Sequence, residues 1–193
     1  MKERFIQYLK TSDDLIHRVM NDYGIFEKVK SAIMSIEHCL IGGRKIMIAG
    51  NGGSAADAQH FATELVGRFN HSRSALSAIA LNTDTSNITA IGNDFGFEKI
   101  FSRQIEALAR PGDVFLGIST SGESKNIILA AIACAKIGVN TIGLLGKGGG
   151  LVKDHVRIPI IIPSENTPKI QEMHITLLHF ICWQLEKDLR KKA

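Results

Sequence analysis

His60 and Glu64 stand four residues apart in the stretch Asn51 to Arg68, NGGSAADAQHFATELVGR, a spacing that puts an imidazole and a carboxylate on one face of a helix. Such a pair can move protons on and off a bound molecule. Immediately upstream, Gly50, Gly52 and Gly53 allow a sharp turn with uncovered amides. A helix beginning near Ser54 would aim its unpaired N–H groups and positive dipole end at the same spot. A phosphate fits there. Cradle and pair on one element point to chemistry on a phosphorylated small molecule, although a Gly-rich turn can bind nothing and a His/Glu pair at this spacing is often a surface pair. The turn lacks the Gly-Lys-Ser/Thr ending of a nucleotide-binding P-loop, and no acidic residue follows a second strand where a ribose would need one.

A second cluster of donors, Ser119-Thr120-Ser121-Gly122-Glu123-Ser124, follows a strand-like run and leads into a helix, so its hydroxyls and amides can also receive phosphate. The alternative is a plain Ser/Thr helix cap. By contrast, Gly146-Lys147-Gly148-Gly149-Gly150 reads as a flexible left-handed turn away from any ligand. His174 and His179 are both embedded in an apolar terminal helix, where a histidine is ordinarily a satisfied core residue.

These residues need a scaffold. Apolar residues at three- and four-residue steps predict helices over 3–20 and 25–41, separated by Gly24 and ended by Gly42-Gly43. Strands follow at 45–49, 78–81, 114–118, 141–145 and 156–162. Helices fall at 54–68, at 84–90 and 98–108 around a turn Gly92-Asn93-Asp94-Phe95-Gly96, at 125–137, and from Thr167-Pro168 to the end. Short apolar strands alternating with helices, without a half-exposed alternation, predict an α/β fold: a doubly wound five-stranded parallel sheet covered by helices on both faces. Both donor clusters then lie at the carboxyl ends of strands, where open α/β sheets bind ligands. The helix after Thr167 is apolar almost all round between Met173 and Leu185, which predicts that another subunit covers part of it.

With 193 residues, 45% hydrophobic and 22% charged, the chain reads as one soluble domain. The net charge of +4 gathers in Lys187, Arg190, Lys191 and Lys192, which suit a helix C-terminus and need no nucleic acid to explain them. The start, MKERFIQYLK, has neither signal-peptide nor transit-peptide character, and no apolar run is long enough to span a membrane. Cys39, Cys134 and Cys182 are odd in number and set among apolar neighbours, as expected of buried, reduced thiols in a cytoplasmic protein.

Taken together, NGGSAADAQHFATEL, GNDFG, STSGES and IQEMH resemble the sugar isomerase (SIS) domain family, specifically its sedoheptulose 7-phosphate isomerases, over nearly the whole chain. The resemblance implies a single SIS domain over 1–193, with residues 1–42 as a helical extension packed on the domain and on other subunits. It implies a homotetramer with active sites at subunit interfaces, acting on sedoheptulose 7-phosphate to give D-glycero-D-manno-heptose 7-phosphate for bacterial surface polysaccharide. It places sugar-phosphate contacts on Asn51, Gly52, Gly53, Ser54, Glu64, Asn93, Asp94, Ser119, Thr120, Ser121, Ser124 and Gln171. Glu64 and His179 become the acid/base pair, and His60, Glu64, Gln171 and His179 the ligands of one zinc per subunit. Two departures stand out: Lys169 where the pattern has Arg, and Pro168 at the start of the last helix.

Ketose to aldose conversion moves a proton between adjacent carbons through an enediol, work suited to a carboxylate and an imidazole, with a divalent ion stabilising the enediolate. Gln171 and His179, however, are eight residues apart on one helix, about 12 Å along its axis and roughly 80° around it, so one straight helix can scarcely bring both to one metal. Either the helix bends or the two come from neighbouring subunits. The rival readings are a non-catalytic SIS protein that binds a sugar phosphate or a replication initiator, and an isomerase of another sugar phosphate.

Overall fold

Every strand of the sheet is parallel to its neighbours, in the order β2-β1-β3-β4-β5, where β1 is Ile46–Gly50, β2 Ala78–Ala80, β3 Val114–Ser119, β4 Asn140–Leu145 and β5 Ile158–Ile161. The structure is a computed structural model and describes residues 1–190; the expected role of Lys191 and Lys192 lies outside the described residues. Ile46 sits opposite Ala78 on one side and Val114 on the other, and Ile142 sits opposite Ile158. Crossing from β1 to β3 reverses the direction in which strands are added, so the switch point falls between the ends of these two strands.

Strand residues alternate between two cores rather than between core and solvent. Ile46, Ile48, Val114, Leu116, Ile118 and Ile142 pack under α2 (Tyr23–Ile41), α3 (Gly53–Val66) and α7 (Thr167–Arg190). Met47, Ala49, Phe115 and Leu145 face the other side, under α5 (Ser102–Leu108) and α6 (Lys125–Ile137), with Ile88 and Ile91 of α4 (Thr85–Phe95) joining them. Burial on both faces is why these strands read as continuous apolar runs. The helix α1 (Lys2–Met20) lies on α7 through Leu15, which packs with Ile162, Ile170 and Met173.

Charge fixes α1 to the start of α7. Lys169 is buried, with Nζ donating to Ser12 Oγ (2.6 Å) and to both carboxylate oxygens of Glu172 (3.0 and 3.1 Å), while lying 3.4 Å from the centre of the Tyr8 ring. Burial works against the Lys169 charge, but the Glu172 carboxylate outweighs it and raises the pKa; burial raises Glu172, and Ser12 and Lys169 outweigh that and lower it. The lysine that departs from the expected Arg is thus a fully engaged structural cation.

Several boundaries differ from expectation. Gly24 lies inside α2, and the break falls at Asn21-Asp22, where the Asp22 carboxylate caps α2 by accepting from Ile25 N (3.0 Å). The expected turn at 92–96 is helical: α4 runs on to Phe95 and Gly96 ends it with φ +92°. One interior glycine costs a helix only about 1 kcal/mol, so Gly92 does not break it. A 3₁₀ turn, Phe97–Lys99, then replaces the first part of the helix expected from 98. The terminal helix starts at Thr167, with Asn166 Oδ1 3.5 Å from Lys169 N, so the cap is Asn166 and Pro168 is the second helical residue. All three cysteines are buried and unpaired with one another, and among the described residues no helix is long and apolar enough to cross a membrane.

At the opposite end of the sheet from the two clusters, Asp113 is buried and accepts from Lys45 Nζ (2.6 Å), Lys45 N (3.1 Å) and Arg110 N (2.8 Å). Burial alone would raise its pKa; the Lys45 hydrogen bonds and charge outweigh it and hold the carboxyl below its ordinary value. A group depressed in the folded state contributes stability that is complete above the unfolded value of about 3.9 and vanishes as pH falls through the lower folded value. Asp113→Ala is expected to cost about 3 kcal/mol at neutral pH and far less near the bottom of that window, as read by denaturant melts across pH.

Candidate active site

Both donor clusters open onto the β1/β3 switch point. After β1 the chain turns through Gly52, which has φ +55°, and α3 begins at Gly53 with no side chain capping its amides. After β3 the chain passes through Gly122 at φ +68°, and α6 begins at Lys125, also without a side-chain cap. Two helix N-termini left uncapped at the ends of adjacent strands make a strong anion site. Elsewhere α2 and α4 are capped by aspartates, Asp22 and Asp84, while α1 and α5 also lack side-chain caps, so it is the position of α3 and α6 at adjacent strand ends that sets them apart.

The clusters are tied together. Asn51 and Asn126 exchange two amide hydrogen bonds of 2.9 Å each, linking the first turn to α6. Asn82 clasps Gly50 in the same manner, accepting from Gly50 N (3.3 Å) and donating to Gly50 O (2.6 Å). In the second cluster Ser119 Oγ, buried, contacts Ser124 Oγ at 2.9 Å and Ser121 Oγ at 3.4 Å and accepts from Gly122 N at 3.1 Å. The 146–150 glycines are a buttress for this cluster, not a loose turn: the chain just beyond them donates from Val152 N to Gly122 O (2.8 Å) and from Leu151 N to Glu123 Oε1 (3.1 Å). A side chain at Gly122 would collide with the backbone of Gly149.

Two helices, α3 and α7, run side by side in the same direction and meet at matched levels. At the first level the Gln171 amide lies directly over Gly53, where any Cβ would overlap it. At the second, two turns on, His60 Nε2 and His179 Nε2 approach to 2.8 Å with ring centres 5.0 Å apart. Glu64 Oε1 is 3.5 Å from His60 Nε2, so carboxylate, imidazole and imidazole form a row. Phe69 lies against the other side of His179, ring centres 5.7 Å apart. One chain therefore brings His60, Glu64 and His179 together, and puts Gln171 with Asn51, Gly52, Gly53 and Ser54 at the phosphate end, about 10 Å away along α3. Asn93 and Asp94 stand exposed near the end of α4, and Asn93 Nδ2 donates to Asp94 Oδ1 (2.8 Å). Among the described residues neither hydrogen-bonds to a cradle residue.

The donor set suits zinc in kind, since imidazole nitrogen and carboxylate oxygen are its ordinary ligands. As they stand, no three His, Cys, Asp or Glu side chains among the described residues are gathered to hold an ion. The two Nε2 atoms are in direct contact, so both rings would have to part and turn for their lone pairs to meet on one ion. Gln171 does not meet the other three within the chain, because α7 is one continuous helix of 24 residues.

Four residues here escape a reading of sequence. Asn82 and Asn126 carry no local signal, since their partners lie 32 and 75 residues away. Phe69 reads as a loop aromatic. Asp57 does have one: it shares the α3 face of His60 and Glu64 at three- and seven-residue spacing. Its Oδ2 is buried without a hydrogen-bond partner, and burial pushes its pKa up to about 6, with the nearby His60 opposing. His174 is a core residue as expected, but not a satisfied one. Neither ring nitrogen has a hydrogen-bond partner, and burial pushes its pKa down to about 4 against the pull of the Leu145 backbone.

Residues 7–146 match the family model described as the SIS domain. A phosphoheptose isomerase of Geotalea daltonii is 52% identical over 186 residues, covering 95% of this chain and 97% of that protein. Among solved structures, the phosphoheptose isomerase GmhA of Neisseria gonorrhoeae superposes with a TM-score of 0.90 at 40% identity, covering 96% of this chain and 98% of that one. A phosphoheptose isomerase from Francisella tularensis superposes with a TM-score of 0.89 at 32% identity, covering 97% and 98%.

If the bare helix ends are the anion site, a fixed carboxylate there must exclude phosphate while serving α6 well. Ser124→Asp supplies one at the N-cap. The expected outcome is an unchanged or slightly raised melting temperature together with at least a tenfold loss of phosphate affinity by calorimetry, about 1.4 kcal/mol or more. Retained affinity in a folded variant would show that the anion sits elsewhere.

Proposed function

The chain belongs to the SIS domain family, and from that premise we infer that it is a phosphoheptose isomerase, converting D-sedoheptulose 7-phosphate to D-glycero-D-manno-heptose 7-phosphate. The observation that carries the chemistry is the meeting of Glu64, His60 and His179 two turns from an uncapped helix N-terminus. The phosphate rests on the amides and hydroxyls of 51–54 and 119–124, and the carbon chain extends along the α3/α7 seam toward the pair. A separation of about 10 Å between cradle and pair favours a long sugar phosphate over a triose.

In the reaction, Glu64 takes the proton from C1 while the carbonyl oxygen on C2 gains one from His179, leaving a C1=C2 enediol. Glu64 then returns its proton to C2, and the C1 hydroxyl gives its proton back to His179, leaving the aldehyde at C1. Hydrogen and electrons are conserved within the sugar, so no redox partner is consumed. Each positioned acid or base is worth about 10²- to 10⁴-fold. His60 lies between them, hydrogen-bonded to His179 at 2.8 Å and 3.5 Å from the Glu64 carboxylate.

Three finer points belong to this reading. Zinc, one per subunit, would be held by His60, Glu64 and His179 and would supply Lewis-acid stabilisation of the enediolate, with Gln171 joining from a second subunit. The subunits assemble as a homotetramer with sites at their interfaces; support comes from the exposed Phe5, Leu9 and Met20 on α1, Phe26 and Met34 on α2, and Phe180 and Trp183 on α7. A monomer by light scattering refutes that assembly. On this reading the product, made in the cytoplasm, feeds the heptose of a bacterial surface polysaccharide, and an unchanged surface heptose content in a strain lacking the protein refutes it.

The deciding assay incubates the protein with sedoheptulose 7-phosphate, ribulose 5-phosphate and fructose 6-phosphate. Turnover is expected with the heptulose. Glu64→Gln is expected to lower kcat by at least about 10²-fold with phosphate binding and melting temperature nearly unchanged. Chelator should lower the parent's rate and added zinc restore it; equal rates with and without chelator would remove the metal, and a parental rate in Glu64→Gln would remove the base.

A further inference from the structure

Between α3 and β2 the chain passes through Gly67 to Ser77, a connection that touches both helices of the site. Arg73 reaches back from it, its Nη2 donating to Glu64 O (2.7 Å) and its Nη1 to Leu65 O (2.8 Å) and Ser74 O (2.9 Å). A buried guanidinium thus closes the last carbonyls of α3, where a cation is favoured, on the very turn that carries the Glu64 carboxylate. On the other side stands Glu186 of α7, also buried, accepting from Asn70 N (3.2 Å) and His71 N (3.1 Å). Arg73 Nε lies 3.7 Å from Glu186 Oε1, an ion pair too long to be a hydrogen bond. By spacing, His179, Cys182 and Glu186 share one side of α7. The Cys182 thiol, pushed up to about 12 by burial and by the Glu64 charge, with Arg73 and Glu186 also acting on it, marks where these charged groups converge. Phe69, from the same connection, lies against the His179 ring.

We infer that this connection is a positioning device, in which Arg73 and Glu186 fix the distance between the Glu64 carboxylate and the His179 imidazole and Phe69 sets the tilt of the His179 ring. The inference rests on reading Glu64 and His179 as the acid and base. Arg73 and Glu186 act through other residues: one grips the backbone under the base, and the other anchors the connection to the helix bearing the acid. The competing view is a buried ion pair that only holds the fold together. The two differ in what they make sensitive. A fold-only pair lowers stability and leaves the rate per folded molecule alone, whereas a positioning pair changes the rate because a shift of an ångström at the reacting atoms costs up to about a hundredfold.

The test compares Arg73→Lys, Glu186→Gln, Glu186→Ala and Phe69→Leu with the parent for kcat, KM, the pH profile of kcat/KM, melting temperature, and the NMR signals of the His60 and His179 rings. Arg73→Lys keeps the charge but cannot span both carbonyls; kcat should fall about ten- to a hundredfold with KM for sedoheptulose 7-phosphate changed less than about threefold. Glu186→Gln keeps one of the two acceptor oxygens, so it should retain part of the activity that Glu186→Ala loses. Phe69→Leu should shift the His179 ring signals and lower kcat with KM changed less than about threefold. Folded variants with parental kcat, pH profile and ring signals, differing only in melting temperature, would overturn the inference. Should Arg73→Lys fail to fold, Glu186→Gln and Phe69→Leu still decide it. If the parent itself does not turn over the heptulose, the functional reading fails, and the ring signals of the variants still judge the positioning claim.

Discussion

The side-by-side, same-direction packing of α3 and α7 is the constraint on which the site depends. Parallel helices keep register along their length, so a contact at one level dictates the next. Gly53 under Gln171 sets the first level, His60 against His179 the second, and the connection pinned by Glu186 the third. The bare Gly53 leaves room for the Gln171 amide at one level, and the imidazoles meet two turns on. The sheet contributes the fixed reference: β1 delivers α3 and β3 delivers α6 from fully buried strands that have no freedom to shift.

Charge explains why the ligand goes where it does. Aspartates cap α2 and α4, at Asp22 and Asp84; α3 and α6, like α1 and α5, carry no side-chain cap, but only α3 and α6 begin at adjacent strand ends. Each bare end forgoes about 1 kcal/mol of capping, which an anion bound there would return, so on the proposed reading substrate serves as the missing cap. Asn51 and Asn126 keep the two ends together by hydrogen bonding each other rather than turning back onto the helix amides. Amide side chains suit this role because they link without adding a charge that would compete with phosphate.

The parallel five-stranded sheet and the two turns after β1 and β3 were legible because they depend on local pattern: apolar runs of strand length, glycines at a turn, hydroxyls before a helix. The turn expected at 92–96 was not, because Gly-Asn-Asp-Phe-Gly has turn composition while Ile88 and Ile91 have a core to pack against, and packing outweighs the cost of Gly92. The break assigned to Gly24 failed for a related reason, since a capping carboxylate at Asp22 starts a helix more firmly than one glycine ends it. At the site, helical spacing revealed His60 with Glu64. The caution about Gln171 and His179 was also sound, for they occupy different levels of α7. What no local pattern could reveal was who meets whom across the chain: His60 with His179 over 119 positions, or Glu186 with the amides of Asn70 and His71.

The His60–His179 contact also limits what the row can be at any moment. Two imidazole nitrogens 2.8 Å apart hold one proton between them, one ring donating and the other accepting. The same lone pairs that would bind a metal ion are used in that hydrogen bond, so ion and shared proton exclude one another at these atoms. The row Glu64, His60, His179 would therefore have two exclusive uses: a hydrogen-bonded pair of rings beside the Glu64 carboxylate, as seen here, or, were an ion to bind, a ligand set with the rings parted. Which use prevails is decided by how closely α3 and α7 are held. On the positioning reading that spacing is set at the far end of the seam by the Arg73 and Glu186 charges, which never meet the sugar, while the Gln171 amide over Gly53 marks the end that faces the phosphate.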